Sequence, residues 1–416
     1  MAELEPLTAL RYNLEVTGGL QDVLAPPYDV IDGRQRAELV ARSPYNVVRI
    51  DLPETYEQAA ADLAAWQADG ALVRDERPAL WVLAQDYTGP DGQARTRHGF
   101  LTRVRVENYG PGRIRPHERT HPGPKEDRLK LTRATKANLS PIFSLFDDSA
   151  GAVRGALDAA TQDQPWAITN DEDGTVNRIW RNDDEGAIAA VEQALEGVEL
   201  LIADGHHRYE TARVYADEVG GEGPHRYVLM CLVALQDPGL TIFPTHRLVR
   251  GLTSEQQEKL AETIRRDFEI KELGSTEELG PDASDEVKIG YIDAHFKKPF
   301  MLTLKDPAVA DAALAEHAEP YRRLDTAVLE ALILKGTLGM TDEDIDHLNG
   351  LGYARDNAHA LELVQSGEYD AAFFMAPTPV ERVQAVAASG ESMPPKSTYF
   401  FPKVPTGLVF NPLSQW

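Results

Sequence analysis

The chain has 416 residues, 42% of them hydrophobic and 26% charged, enough to bury an ordinary core without a metal or disulfide staple. That excludes a disordered chain, a collagen-like repeat and a mini-protein scaffold. A formal net charge of −25 repels phosphate backbones and anionic membranes, so DNA and membrane partners are not expected unless the basic residues gather in one place.

The single cysteine, Cys231, lies in the apolar run 227–235, so no intramolecular disulfide can form and a buried, inert thiol is expected. No leader-like N-terminal pattern is present, and no run approaches the ~20 apolar residues of a membrane span. A soluble, cytoplasmic protein is expected, with a homo-oligomer allowed.

In chain order, Ala25-Pro-Pro-Tyr-Asp is a rigid turn, 34–42 reads as a helix and 44–51 as a strand. Residues 56–70 carry helical apolar spacing and stop at Gly70. Segments 78–87 and 98–106 flank a Gly/Pro/Asp turn and predict a hairpin. A segment rich in Pro, His and charge, 113–130, runs into a helix, followed by a strand at 141–146 and a helix at 150–162. Polar strands at 167–180 and a helix at 184–196 lead to the buried strand 199–203. Residues 227–235 and 240–243, joined by Asp237-Pro-Gly239, predict a second hairpin. Helix-start chemistry at Thr253 precedes an acidic loop at 272–285. The remainder alternates strands (288–293, 300–304, 371–375) with helices (324–334, 357–366, 380–388). A mixed α/β (α+β) fold is expected, with a core domain over 1–250 carrying the phosphate-binding motifs and a C-terminal α/β domain over 251–416.

The sharpest chemistry is Asp204-Gly-His-His-Arg208, where a buried strand meets a glycine turn and a helix. A helix start offers unpaired N–H groups and the positive end of the macrodipole, and Gly205 lets a phosphate come close. Arg208 supplies a bidentate fork. His206 and His207 are candidate donors or general bases, and Asp204 a candidate base, orienting group or Mg²⁺ ligand. The alternative is a plain helix cap with satisfied histidines. Adjacent histidines point apart on a helix and make a poor metal pair. The second constellation, Arg115 to Arg128, gathers Arg115, His117, Arg119, His121, Lys125 and Arg128 as phosphate donors, with Glu118, Glu126 or Asp127 to hold a metal or act as the base; its alternative is a solvated loop. Tyr28 and Asp29, and Lys396 and Ser397 near Lys403, are further candidates, a structural turn and a docking strand being equally plausible for them. No P-loop, GxSxG, GxGxxG or HExxH motif occurs.

Five ordered segments, 25–30, 115–128, 203–212, 244–248 and 395–403, together resemble the DUF1015 family of uncharacterised bacterial and archaeal proteins over nearly the whole chain. The Asp204–Arg208 element is similar to the Gly-x-x-Arg phosphate-binding turn of the ParB/sulfiredoxin superfamily, which includes free L-serine kinases with a comparable sequence. The resemblance implies a ParB/sulfiredoxin-like nucleotide-binding core, with Gly205, His206, His207 and Arg208 around nucleotide phosphates and Asp204 beside the transferred group. Sulfiredoxins need a cysteine in that turn, which here reads Gly-His-His-Arg, so that activity is not expected. The serine kinases use a glutamate base from another motif, for which Glu118 is the first candidate and Asp29 the next.

The enzyme reading is a nucleotide-dependent phosphotransferase, using Mg²⁺ with ATP or ADP on the hydroxyl of a small polar metabolite such as free L-serine. The alternative is a ParB-like nucleotide-binding regulator without turnover. No basic helix-turn-helix supports DNA contact.

Overall fold

A computed structural model describes residues 3–89, 91–117 and 122–414, with only the backbone at 122–124. The candidates Glu118, Arg119 and His121 lie outside the described residues. The fold is mixed α/β, in two units. One holds the described residues up to Pro116, those from 122 to Thr241, and the tail from Pro402; the other holds Ile242–Phe401 together with His117.

The first unit is built, among the described residues, on a nine-stranded sheet. Its strands are β1 (Leu4–Glu5), β2 (Leu80–Thr88), β3 (Ala94–Arg105), β4 (Ile114–Pro116), β5 (Ile142–Phe146), β6 (Ala167–Asn170), β7 (Val176–Asn182), β8 (Leu200–Asp204) and β9 (Tyr227–Ala234). They run β4-β8-β5-β9-β3-β2-β7-β6, with β1 on β3. The expected hairpin is β2–β3, and β6–β7 is another antiparallel pair. The β5–β9 and β4–β8 pairs are parallel and therefore need crossover connections, which carry helices. Its helices include α1 (Gly33–Arg42), α2 (Val48–Asp51), α3 (Tyr56–Ala68), α4 (Pro122–Thr135), α5 (Ala152–Leu157), α6 (Glu185–Leu195) and α7 (His206–Val219). Val82, Phe100, Phe146 and Leu232 from the sheet pack with Val191 of α6 and Tyr209 of α7 in one core, each side chain contributing about 1.5–3 kcal/mol by leaving water. Cys231 is fully buried on β9, and burial pushes its thiol up to about 12.

Two sequence expectations fail here. Residues 44–51 form a turn and the short helix α2 rather than a strand. The Asn46 side chain decides this: its oxygen accepts from Val48 N, while its nitrogen donates to the carbonyls of Asp22 and Leu24, so local capping overrides the β-branched pattern. Nor do 227–235 and 240–243 form a hairpin, because β9 pairs with β3 and β5, and Thr241–Phe243 pairs with Tyr399–Phe401. The Asp237–Gly239 turn instead lies flat on β3, where a Cβ at Gly239 would stand 2.1 Å from the Thr96 carbonyl oxygen, and Tyr87 Oη donates to Gly239 O.

The second unit carries, among its described residues, a six-stranded antiparallel sheet of β10 (His246–Val249), β11 (Phe268–Glu272), β12 (Lys288–Asp293), β13 (Phe300–Leu304), β14 (Leu351–Ala354) and β15 (Ala371–Phe374). Their order is β11-β13-β12-β15-β10-β14. The capping chemistry read at Thr253 opens the helix α8 (Ser254–Asp267) as a complete capping box.

The tail from Pro402 ties separate parts of the first unit together. Ala25 and Thr406 exchange main-chain hydrogen bonds, and Phe410 pairs with Leu10. The described tail residues therefore belong to the first unit.

Asp171, in the turn between β6 and β7, is pushed up to about 7 by burial, which the nearby Asn177 side chain only partly offsets. Its folded pKa therefore lies above the unfolded value of about 3.9, the native state holds the extra proton, and stability falls as pH rises from about 4 to about 7. Asp171→Asn is expected to raise stability at pH 8 by about 2 kcal/mol and to change nothing at pH 4. Thermal melts at the two pH values check this, and an equal shift at both would contradict it.

Candidate functional site

Strand β8 ends with a register shift between Ile202 and Asp204, which breaks its ladder with β5 and frees the chain to turn. Gly205 then takes φ 92°, and α7 begins at His206 without a side-chain cap, at the positive end of its macrodipole. His206 is buried and His207 half-buried at the first two helix positions.

Arg208, one turn into α7, folds back over this start. Its Nη2 donates to Asp204 Oδ2 at 2.9 Å, and its Nη1 donates to Ser140 Oγ at 2.6 Å and to the Pro141 carbonyl. Its buried Nε has no hydrogen-bond partner among the described residues. A Cβ on Gly205 would stand 3.0 Å from that Nε; the bare glycine keeps the approach to an unused donor open.

The tail supplies Lys403, whose Nζ donates to Asp204 Oδ1 at 2.9 Å. Burial works to raise the Asp204 carboxyl, but Lys403 and Arg208 outweigh it and hold the group well below the usual carboxylate range. A third cation, Arg97, comes from β3. It is 1% exposed, lies 4.6 Å over the Phe143 ring and donates to Gln85 Oε1 and Pro402 O, while its Nη1 lacks a partner among the described residues. Asp204 acts on Arg97 electrostatically. Two cations thus share one carboxylate in a protein of net charge −25.

Beside them sits a second network. Arg128 Nη1 donates to the Asp51 carbonyl at 2.7 Å and to its Oδ1 at 3.1 Å, Nε donates to Asp127 Oδ2, and the guanidinium lies 4.3 Å over the Tyr28 ring. Burial raises the Asp51 carboxyl, with Arg128 and Arg208 working against it. Burial likewise pushes Tyr28 up to about 12. Asp29 is exposed and acts electrostatically on both Tyr28 and Asp51. A cavity of about 40 Å³ lies among Asp51, Arg128, Ser140, Arg208 and Thr211.

The structure therefore gathers Tyr28, Asp29, Asp127, Arg128, Asp204, Gly205 and Arg208 in the first unit. Arg128, expected as a phosphate donor, spends its fork on Asp51 and Asp127. Lys125 meets α7 through its carbonyl, which accepts from Thr211 Oγ1 at 3.4 Å. Arg115 pairs with Glu199 at 2.7 Å on the β4 edge. In the second unit, His117 Nε2 lies 2.8 Å from Thr398 Oγ1, and Ser397 is buried against Thr326 and the Pro394 carbonyl beside Lys396, whose φ is 59°. Asp51, Arg97 and Ser140 had not been singled out. Arg97 carried no signal in the sequence, because its strand face also holds Arg95, Arg103 and Arg105.

Asp204 and Asp127 do not fit a resident Mg²⁺. Both Asp204 oxygens accept from cations, and those of Asp127 accept from Tyr56 Oη and Arg128, whereas Mg²⁺ needs unspent oxygen ligands. Among the described residues, no group of three or more His, Cys, Asp or Glu side chains is placed to hold a metal ion. Nor is any described helix long and apolar enough to cross a membrane.

Gly205→Ala is expected to cost about 1–2 kcal/mol through its left-handed backbone, and to close the approach to Arg208 Nε. Urea unfolding checks the first effect; a change below 0.5 kcal/mol would contradict it.

Several solved structures are similar to the chain. A conserved hypothetical protein from Pyrococcus furiosus is 16% identical, with TM-score 0.36 over 71% of this chain and 92% of that one. A free serine kinase variant in complex with ADP is 14% identical, with TM-score 0.37 over 71% and 89%. SbnI with a C-terminal truncation, from Staphylococcus aureus, is 13% identical, with TM-score 0.38 over 75% and 87%. No curated protein matches the sequence. The family model described as "Protein of unknown function (DUF1015)" matches residues 4–327, more than half of the sequence, and the chain belongs to that family.

Proposed function

We propose that the Asp204–Arg208 turn binds nucleotide phosphates, and that the chain is a nucleotide-dependent phosphotransferase acting on the hydroxyl of a small polar metabolite, with free L-serine as the leading acceptor. One observation carries this reading: the unused Nε–H of Arg208 beside the bare Gly205 at a helix start, with Arg97 and Lys403 as further cations. Such a surplus of partly desolvated positive charge is completed by an anion, and a phosphate can take the guanidinium at the positive end of the helix.

In the transfer, the acceptor hydroxyl oxygen bonds to the terminal phosphorus of ATP or ADP, and the bond from that phosphorus to the leaving nucleotide oxygen breaks. A carboxylate takes the hydroxyl proton. Asp204 is a weak base, because its cations favour the ionised form, so its role is to hold Arg208 and Lys403 in place. Asp29, exposed beside Tyr28, is the described candidate for the base, and Glu118 the other. Mg²⁺ arrives with the nucleotide as part of the substrate, where Arg208 and Lys403 share its work of neutralising phosphate charge.

The test is calorimetry of the full chain against ATP, ADP and CTP with Mg²⁺, followed by nucleotide turnover with and without serine. Saturable binding with serine-stimulated turnover is expected. Binding without turnover for any hydroxyl acceptor would replace the enzyme by a nucleotide-binding regulator, and no binding would remove the phosphate site.

A further inference from the structure

A second recess opens in the first unit, toward the opposite end of β5 from Asp204. Asp204 pairs with Phe143 near the start of β5. The recess begins at Phe146, three residues on, which is about 10 Å along a strand, and is closed by residues 148–162 and the 236–237 turn. It encloses about 560 Å³, within the range of small-molecule sites.

Its floor is apolar, formed by Val82, Phe100, Phe146 and Leu232 of the sheet and by Val153 and Leu157 of α5. The polar groups divide by whether their valences are spent. Asp148 accepts the main-chain N–H groups of Val153 and Arg154. Asp237, whose side chain is 4% exposed, accepts from Gly239 N on one oxygen and from His98 N on the other, with His98 Nδ1 at 3.2 Å. That contact fixes the imidazole and leaves Nε2 without a hydrogen-bond partner among the described residues. Arg154 stands 3.9 Å from both Asp158 and Asp237, beyond hydrogen-bond distance, and among the described residues its guanidinium donates no hydrogen bond. The unspent valences around this apolar floor thus include the guanidinium fork and the distal imidazole nitrogen.

We propose that this recess is a binding site for a monocarboxylate with an apolar body, its carboxylate on Arg154 and its hydrocarbon part on Phe100, Phe146 and Leu157. The planar fork matches a carboxylate in two-point geometry. The nearby carboxylates of Asp158 and Asp237 disfavour a dianionic phosphate, which separates this site from the one at Asp204.

The experiment is calorimetry of the full chain with three probes of one shape: 4-phenylbutyrate, its neutral amide and 4-phenylbutylamine. Saturable binding of the acid is expected, at least tenfold tighter than the amide, with no measurable binding of the amine and no competition from ATP. Arg154→Gln, at a side chain 54% exposed, is expected to keep the wild-type melting temperature and to lose the preference for the acid. No saturation by the acid at millimolar concentration, equal affinity for acid and amide, preference for the amine, or an unchanged preference in Arg154→Gln would each overturn the proposal.

Discussion

Replacing Arg128 with Ala is expected to lower the unfolding free energy by about 3–5 kcal/mol, the cost of leaving a buried charge without its partner. The Arg128 and Asp51 side chains are each 6% exposed, and Arg128 also serves the Asp51 carbonyl, Asp127 and the face of Tyr28. Burial already raises the Asp51 carboxyl with the guanidinium in place; without it the shift grows. A folded pKa above the unfolded value of about 3.9 favours the protonated native state, so the deficit of Arg128→Ala is largest near neutral pH and shrinks as pH falls toward that value. Urea unfolding at pH 7 and pH 5 measures both features. The paired change Arg128→Met with Asp51→Asn removes both charges and is expected to restore part of the loss. A deficit below 1 kcal/mol, or one that does not vary with pH, would mean that the pair is not the buried charge it is described as.

Arg208→Ala is expected to weaken nucleotide binding at least a hundredfold, or about 2.7 kcal/mol. It removes the unused Nε donor, the fork beside the helix start and one of the two cations on Asp204, which keeps Lys403. Arg208→Lys restores charge but not the span from Ser140 and Pro141 to Asp204, so it is expected to recover less than a tenth of the lost affinity. Arg133→Ala, at a half-exposed residue paired with Glu218, is expected to bind as wild type does. Calorimetry with Mg²⁺-ATP reads all three. Wild-type affinity in Arg208→Ala would remove this arginine from the site.

Local pattern made much of this protein legible. The 80–105 hairpin follows from two strand-like segments bracketing a Gly/Pro/Asp turn, and the start of α8 from its Thr253 capping box. The Asp204–Gly205 turn follows from an apolar strand meeting a residue able to adopt positive φ. The family membership rested on the same short segments. These are features whose cause lies within a few residues of the chain.

What the sequence could not decide depends on partners far away along it. Whether 44–51 became a strand or a helix turned on Asn46 finding the carbonyls of Asp22 and Leu24. Arg128 looked like a phosphate donor until Asp51, 77 residues away, took its fork. Lys403 reaches Asp204 across 199 residues, and Arg97 meets the Pro402 carbonyl across 305. Charge-bearing side chains acquire their roles from what neutralises them, and that is set by tertiary packing: burial makes an unpaired charge costly, so the fold, not the motif, settles which cations are spent and which remain for a ligand.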